Sequence, residues 1–406
     1  MSLSNEQLIA IAENYGSPVY VYDAETITQQ LAKLTLAFKD CNAKFFYACK
    51  ALSNINILKL MKNIGSNLDC VSINEVNLGL KAGFSPQQII FTPNCVDFSE
   101  VEAAKELGVH INIDNMSILE QFGNKFGNSY PVCIRINPHI MAGGNMKIST
   151  GHIDSKFGIS IHQLRHIQRV VKSTGLVVHG LHMHTGSEIK DIEVFIRSLD
   201  ILLDIAHDFP ELEFLDLGSG FKVPYQEGDY TTDLDVLATR IKETFDNYEQ
   251  EYKRSFEIWF EPGKFLVSES GFLITKANVV KQTTATTFVG INSGFNHLIR
   301  PMFYDAYHKI SNISAPDGAE RIYTVVGHLC ETDTFAWDRK INEVHEGDYL
   351  VFHNAGAYGF EMSSSFNSRC RPAEVLVYQG KPNLIRAREN FDDLLYKQID
   401  CDLFTN

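Results

Sequence analysis

The 406-residue chain lacks the marks of several whole classes of protein. No apolar run reaches the roughly 20 residues that a helix needs to span a bilayer. The opening stretch, Met1 to Asn14, has neither the basic region nor the apolar region of a secretory signal. None of the eight cysteines (Cys41, Cys49, Cys70, Cys95, Cys133, Cys330, Cys370 and Cys401) forms a Cys-x-x-Cys pair, and most stand in apolar runs. A disulfide framework would show denser pairs placed in loops, so the pattern points to a reducing compartment, the cytoplasm. There is no internal repeat and no low-complexity tract. With 27 Gly and 12 Pro, a collagenous or disordered chain is excluded. Basic residues are in short supply: 36 Lys and Arg stand against 50 Asp and Glu, a formal charge of -14. Such a surface repels phosphate backbones and anionic lipid, which argues against nucleic-acid or membrane partners but leaves room for a small basic pocket.

The remaining composition, 44% hydrophobic and 21% charged, is that of a soluble chain long enough to bury a core without disulfides or a structural metal. Between about Lys44 and Gly263 short β-rich runs alternate with amphipathic stretches. The runs are Phe45–Ala51, Asn67–Ser72, Ile89–Thr92, Val109–Asp114, Val132–Asn137, Val177–His184, Glu213–Gly218 and Phe256–Glu261. Most are apolar nearly throughout, as parallel strands covered on both sides should be. Cap-type residues (Ser53 or Asn54, Asn74, Asp97, Asn115, Asp191) open the helical stretches. Eight strand–helix alternations predict a closed (β/α)8 TIM barrel over residues 25–265; an open doubly wound sheet is the rival, and the count favours the barrel.

After Pro262 the pattern changes to strands and turn clusters, among them Phe272–Val280, Arg321–Val326, Asp348–Phe352 and Ala373–Tyr378. The strand-like run Pro18–Tyr22 is expected to join them. Residues 1–24 and 266–406 then form one discontinuous all-β domain, barrel- or sandwich-like, so the fold class is α/β plus all-β. The connection His139–Gly158 is Gly-rich without a helical period, the pattern of a lid or binding loop.

Active sites of such barrels lie at the C-terminal ends of the strands. The first strand closes on Phe46-Tyr47-Ala48-Cys49-Lys50, and an amine desolvated at the mouth becomes a neutral nucleophile fit for a Schiff base. Alone, a Lys that snorkels to water is the better reading. The sixth ends in His182-Met183-His184-Thr185-Gly186-Ser187. Alternation puts both imidazoles on one face, as a zinc pair, as a ring that stacks on a flat cofactor, or as a satisfied core His in the case of His182. The seventh ends in Asp216-Leu217-Gly218-Ser219-Gly220-Phe221, a turn whose N–H groups could seat a phosphate or which is simply tight. The eighth ends in Glu261-Pro262-Gly263-Lys264, where a buried carboxylate needs a cationic or N–H partner. An amine, a stacking ring, a phosphate cradle and an acid for a ring nitrogen are together what pyridoxal 5′-phosphate requires.

These segments resemble the fold-type III, alanine-racemase-like pyridoxal-phosphate decarboxylases. The stretch Asn296-His297-Leu298-Ile299-Arg300-Pro301-Met302-Phe303-Tyr304 resembles one in diaminopimelate decarboxylases. So do Ser149-Thr150-Gly151, Lys156-Phe157-Gly158, Cys330-Glu331 and Ala355-Gly356-Ala357-Tyr358-Gly359. The resemblance runs from about Pro18 to about Leu395. It implies decarboxylation of meso-2,6-diaminopimelate to L-lysine and CO2, the last step of lysine biosynthesis, in a homodimer with shared active sites.

It further implies that Lys50 carries the cofactor, with Asp69, His184, Ser187, Gly218, Ser219, Gly220, Glu261 and Tyr358 around it. Glu261 keeps the ring nitrogen protonated, where related racemases place an Arg. Arg300, Tyr304, Glu331, Lys264 and Tyr358 then meet the substrate, and Cys330, entering from the second subunit with Glu331, protonates the product. Arg300 suits the distal carboxylate that ornithine and lysine lack. The chain departs from the family at Lys264, where Arg is usual, at Thr332-Asp333, and at Ser219, where the turn usually has Gly. Three other readings stay open. They are a related decarboxylase acting on carboxynorspermidine or another amino acid, a metal-dependent hydrolase using His182 and His184, and a non-catalytic cofactor carrier.

Overall fold

The computed structural model describes residues 3–140, 155–189, 191–401 and 403–404. Most of the Gly-rich connection His139–Gly158, including Ser149-Thr150-Gly151, lies outside the described residues. The chain divides into two compact units, Thr26–Glu269 and a second made of the residues up to Glu25 with those from Ser270 onward.

Thr26–Glu269 contains eight parallel strands: Ala43–Ala48 (β1), Asn67–Cys70 (β2), Ile89–Phe91 (β3), His110–Ile113 (β4), Val132–Asn137 (β5), Val178–His182 (β6), Phe214–Asp216 (β7) and Glu257–Phe260 (β8). Each pairs with the next, and β8 pairs back onto β1 through Phe260 and Phe45, so the sheet closes into the expected barrel. A two-residue strand, Ile159–Ser160, adds to β5 outside the eight. Helices follow the strands, and several begin where cap residues stand. Asn54, Asp97 and Asn115 accept backbone N–H bonds at the starts of Ile55–Asn63, Phe98–Leu107 and Met116–Phe126. The cap of Ile73–Ala82 is Ser72 and not Asn74, because the Ser72 hydroxyl is the group that meets the Glu75 N–H. Asp191 accepts from the N–H of Glu193 at the start of Glu193–Ala206.

Inside the barrel Phe46, Ile90, Cys133, Phe214 and Trp259 form an apolar layer. The rings of Phe214 and Trp259 stack with centroids 3.5 Å apart. Gly180 is required beside them, since a Cβ there would come within 2.1 Å of the Phe214 ring.

The second unit is built on a nine-stranded mixed sheet. Val19–Asp23 runs antiparallel to Gly271–Gln282 and parallel to Ala373–Tyr378. Gly271–Gln282 is long enough to pair also with Thr287–Ile291 and Tyr349–Phe352. Helix Asn5–Tyr15, opened by a Ser4–Gln7 capping box, packs Leu8, Ile11 and Ala12 on a core with Val19, Val21, Phe272, Ile274, Val351 and Val375.

Candidate active site

On five barrel strands the inward side chain changes character two residues further on. Ile90 is followed by Thr92, Cys133 by Arg135, Gly180 by His182, Phe214 by Asp216 and Trp259 by Glu261. Residues two apart on a strand share a face, so a polar, titratable layer stands on the apolar one at the C-terminal ends of the strands.

Glu261 is the centre of that layer. Its Oε2 lies 3.1 Å from His182 Nε2, and its Oε1 accepts from Thr92 Oγ1 at 3.3 Å. The side chains of His182 and Glu261 are 0% and 6% exposed. Burial pulls His182 below its usual 6.5, against the opposing pull of Glu261. A neutral imidazole therefore donates Nε2–H to the carboxylate. Burial pushes Glu261 up, but the hydrogen-bonded His182 and the electrostatic pull of Lys50 and His184 outweigh it and hold the carboxylate below its ordinary range. The sequence called for a cationic or N–H partner for this acid; the partners found are an imidazole N–H and a hydroxyl.

Lys50 stands in the turn Cys49–Ala51 directly after β1, with Nζ 3.5 Å from Asp69 Oδ2 at the end of β2. The amine is not desolvated as expected: the side chain is 42% exposed, and only its carboxylate partner, 1% exposed, is buried. Burial, reinforced by Glu261, raises Asp69 to about 7 despite the ammonium beside it.

His184 follows β6 and is held by the turn after β7. Its Nδ1 accepts from the Ser219 N–H at 3.3 Å. Burial first, then Arg135 and Lys50, pull it well below 6.5, so the ring is neutral. Gly218 and Gly220 have φ of 61° and 126°, backbone that L side chains rarely adopt. A Cβ at Gly218 would lie 2.6 Å from His184 Nδ1, and one at Gly220 would lie 2.7 Å from Gly186 O. Two of the three turn amides are engaged within the protein: Gly218 N–H donates to Asp216 Oδ1 at 2.7 Å and Ser219 N–H to His184. Of the turn N–H groups expected to seat a phosphate, these two therefore face the protein. Ser187 is half-buried in the segment after His184. Lys264 is 10% exposed and pairs with Glu188 at 2.8 Å.

The remaining expected site residues belong to the other unit. Arg300, 4% exposed, donates from Nε to His308 Nε2 at 3.3 Å, while His308 Nδ1 donates to His353 O at 2.9 Å. A guanidinium only donates, which fixes the tautomer of His308. Tyr304 closes the same short helix, Arg300–Tyr304. Tyr358 has φ of 55°. Cys330 and Glu331 are exposed, and Asn367 holds Cys330 through its backbone N–H at 3.0 Å and its Sγ at 3.1 Å.

Sequence reasoning missed Thr92, Arg135, Glu188 and the part played by Asp216. Arg135 carried a usable signal: it is the one charged residue in the buried run Val-Cys-Ile-Arg-Ile-Asn. The zinc reading of His182 and His184 finds their nitrogens turned to different partners, Glu261 and the Ser219 amide. His182 instead clusters with Asp216 and Glu261, with one ligand-type atom of each within 4.8 Å of the others.

This donor set fits a flat anionic heterocycle with an aldehyde: a reachable amine, a neutral ring, a glycine turn without Cβ atoms in the way, and an anchored carboxylate. Residues 24–268 match the family model described as pyridoxal-dependent decarboxylase, pyridoxal binding domain. The chain is 38% identical to the diaminopimelate decarboxylase of Methanothermobacter thermautotrophicus over 96% of this chain and 93% of that one. It is 36% identical to that of Escherichia coli K12 over 98% and 97%. The crystal structure of the Helicobacter pylori diaminopimelate decarboxylase complexed with L-lysine superposes with a TM-score of 0.88 at 33% identity, covering 96% of this chain and 98% of that one. The chain belongs to the diaminopimelate decarboxylase family, lyases whose cofactor is pyridoxal 5′-phosphate.

Proposed function

We propose that the protein removes one carboxylate from meso-2,6-diaminopimelate and releases CO2 and L-lysine, the last step of lysine biosynthesis, in the cytoplasm. The observation that carries this reading is the gathering of Lys50, His184 and a hydrogen-bonded Glu261 at one end of the barrel, in a chain of this family. When bound, pyridoxal 5′-phosphate supplies an aldehyde for the substrate amine and a protonated ring that draws electrons from the breaking carbon–carboxylate bond.

The residues of the chain do the rest. Lys50 would hold the cofactor's aldehyde end through its amine. Its ammonium must first lose a proton, and Asp69, poised near 7, is positioned to take it. Glu261 holds the proton at the ring nitrogen; each of its oxygens keeps a lone pair beyond the bonds to His182 and Thr92. Neutral His184 stacks on the ring. The Gly220 amide with the Ser219 and Ser187 hydroxyls binds the phosphate, and Tyr358 adds a phosphate or substrate contact. Lys264 serves mainly to order Glu188, since its ammonium is already paired there.

At the distal end of the substrate, Arg300 grips the carboxylate as a bidentate fork, braced by His308, and Tyr304 donates a hydrogen bond. Fixing that end orients the reacting carbon. Two copies form a dimer in which Cys330 and Glu331 of each chain reach the other's site; Glu331 pairs with the distal ammonium and the Cys330 thiol delivers a proton to the carbon that loses its carboxylate. The test is incubation of the purified protein with meso- and LL-diaminopimelate, L-ornithine, L-lysine and carboxynorspermidine. Lysine and CO2 in equal amounts from the meso isomer alone are expected. Release of CO2 chiefly from any other substrate would replace this reading.

A further inference from the structure

Asp216 ends β7 with its side chain 0% exposed. Its Oδ1 accepts the Gly218 N–H at 2.7 Å, and Gly218 O in turn accepts the Glu261 N–H at 2.6 Å. The turn that holds His184 is thus bonded both to Asp216 and to the strand end that carries Glu261. A carboxylate oxygen of Asp216 also lies within 4.8 Å of one from Glu261. Oδ2 is buried and meets no donor.

The charges around it do not balance if every acid is ionised. The buried carboxyls at this end of the barrel, among the described residues, are Asp69, Asp114, Asp216 and Glu261, and the cations that act on them are Arg135 and Lys50. Across the neighbouring strands, Asp216 faces His182 on β6 in register and Trp259 on β8. Asp69 has the Lys50 ammonium, Asp114 has the amides of Asn94 and Asn115, and Glu261 has His182 and Thr92. Asp216 has one amide, and among the described residues no ammonium or guanidinium pairs with it. Like charges this close cannot both persist away from water. Burial, then the nearness of Glu261, push Asp216 well above the usual carboxyl range.

We propose that Asp216 is a neutral carboxylic acid at working pH, donating its O–H to Glu261 while accepting from Gly218, and so acts as a positioning residue that ties the turn holding His184 to Glu261. The reading rests on the role given to Glu261. It makes Asp216 replaceable by an amide, which also accepts with one atom and donates with the other, and irreplaceable by a side chain that does neither.

The experiment compares Asp216→Asn and Asp216→Ala with the unaltered holoenzyme in cofactor dissociation constant, kcat and KM, and takes infrared difference spectra of Asp216→Asn against the wild type. Cofactor affinity and kcat within about threefold of wild type are expected for Asn. For Ala, a loss of about tenfold to hundredfold in both, with KM little changed, is the scale of a buried hydrogen bond removed. The wild type should show a carboxylic-acid C=O band that Asp216→Asn lacks. An Asn variant as damaged as the Ala variant would mean that an ionised carboxylate is needed, and two variants like wild type would mean no positioning role; either overturns the proposal. If the Ala variant does not fold, the infrared band decides, and its absence overturns the proposal. Glu261→Gln is measured alongside. If it leaves the absorbance of the bound cofactor unchanged, the role of Glu261 falls, while the Asn–Ala comparison still decides the protonation of Asp216.

Discussion

His182 Nε2 lies 3.1 Å from Glu261 Oε2, with both side chains shut inside the barrel. The imidazole is the main donor that keeps this acid anionic and aimed. Burial and the nearness of Glu261 push Asp216, which has one backbone amide and no such imidazole bond, well above the usual carboxyl range.

Replacing His182 by Phe keeps the ring and removes the N–H. Glu261 then loses its closest donor, and kcat should fall about tenfold to hundredfold, on the scale of one charged buried hydrogen bond. Cofactor content, read by absorbance, should stay near one per chain. Full kcat in this variant would show that Glu261 does not depend on His182.

Gly218 should not tolerate a side chain. An added Cβ meets His184 at 2.6 Å on a backbone with φ of 61°. The affinity of Gly218→Ala for pyridoxal 5′-phosphate should drop at least about tenfold, the effect of roughly 1.4 kcal/mol. Titration of the apoprotein with cofactor reads this directly; unchanged binding would contradict the placing of the turn against His184.

Arg300→Lys should affect substrate binding and not the cofactor. A single ammonium cannot make the planar fork, nor donate to His308 with the same geometry. KM for meso-diaminopimelate should rise about tenfold to hundredfold with the bound cofactor's spectrum unchanged. An unchanged KM would remove Arg300 from the substrate site.

Stability should fall in acid partly through His297. It is 2% exposed, with Ser293 Oγ at its Nδ1 and Cys370 O at its Nε2. Burial lowers it to about 4, whereas an unfolded His titrates near 6.5. Between those values the unfolded chain binds more protons, so the contribution is complete above about 6.5 and is lost as pH falls toward 4. Denaturant titrations at pH 4.5 and 7.5 should show a smaller difference for His297→Gln than for wild type, by on the order of 1–3 kcal/mol. Equal differences would place the acid sensitivity elsewhere.

All eight barrel strands were legible because strands covered on both sides need nearly continuous apolar runs. The outer strands of the other unit were harder to read. Lys381–Arg386 is exposed almost throughout and pairs with Ala373–Tyr378 without an alternating signal of its own. Thr334–Asn342 carries Trp337, Asp338, Arg339 and Lys340 in mid-strand. Such strands are set by distant partners, which a local pattern does not contain. In the site, strand-end position drew attention to Lys50, His184 and Glu261, and only their combination and the family resemblance gave them roles. It could not show that Ser219 N–H turns to His184 and Gly218 N–H to Asp216, because those bonds depend on neighbouring strands meeting in three dimensions. For the same reason Thr92, although it ended a recognised run, gave no hint that it faces Glu261 across the barrel.

The central claim is that the amine of Lys50 carries the cofactor. Borohydride reduction of the yellow holoenzyme, followed by proteolysis and peptide mass analysis, tests it most directly. A single pyridoxyl-phosphate adduct on Lys50, with Lys50→Ala colourless and inactive, is the predicted result. An adduct on any other lysine, or full turnover by Lys50→Ala, would contradict it.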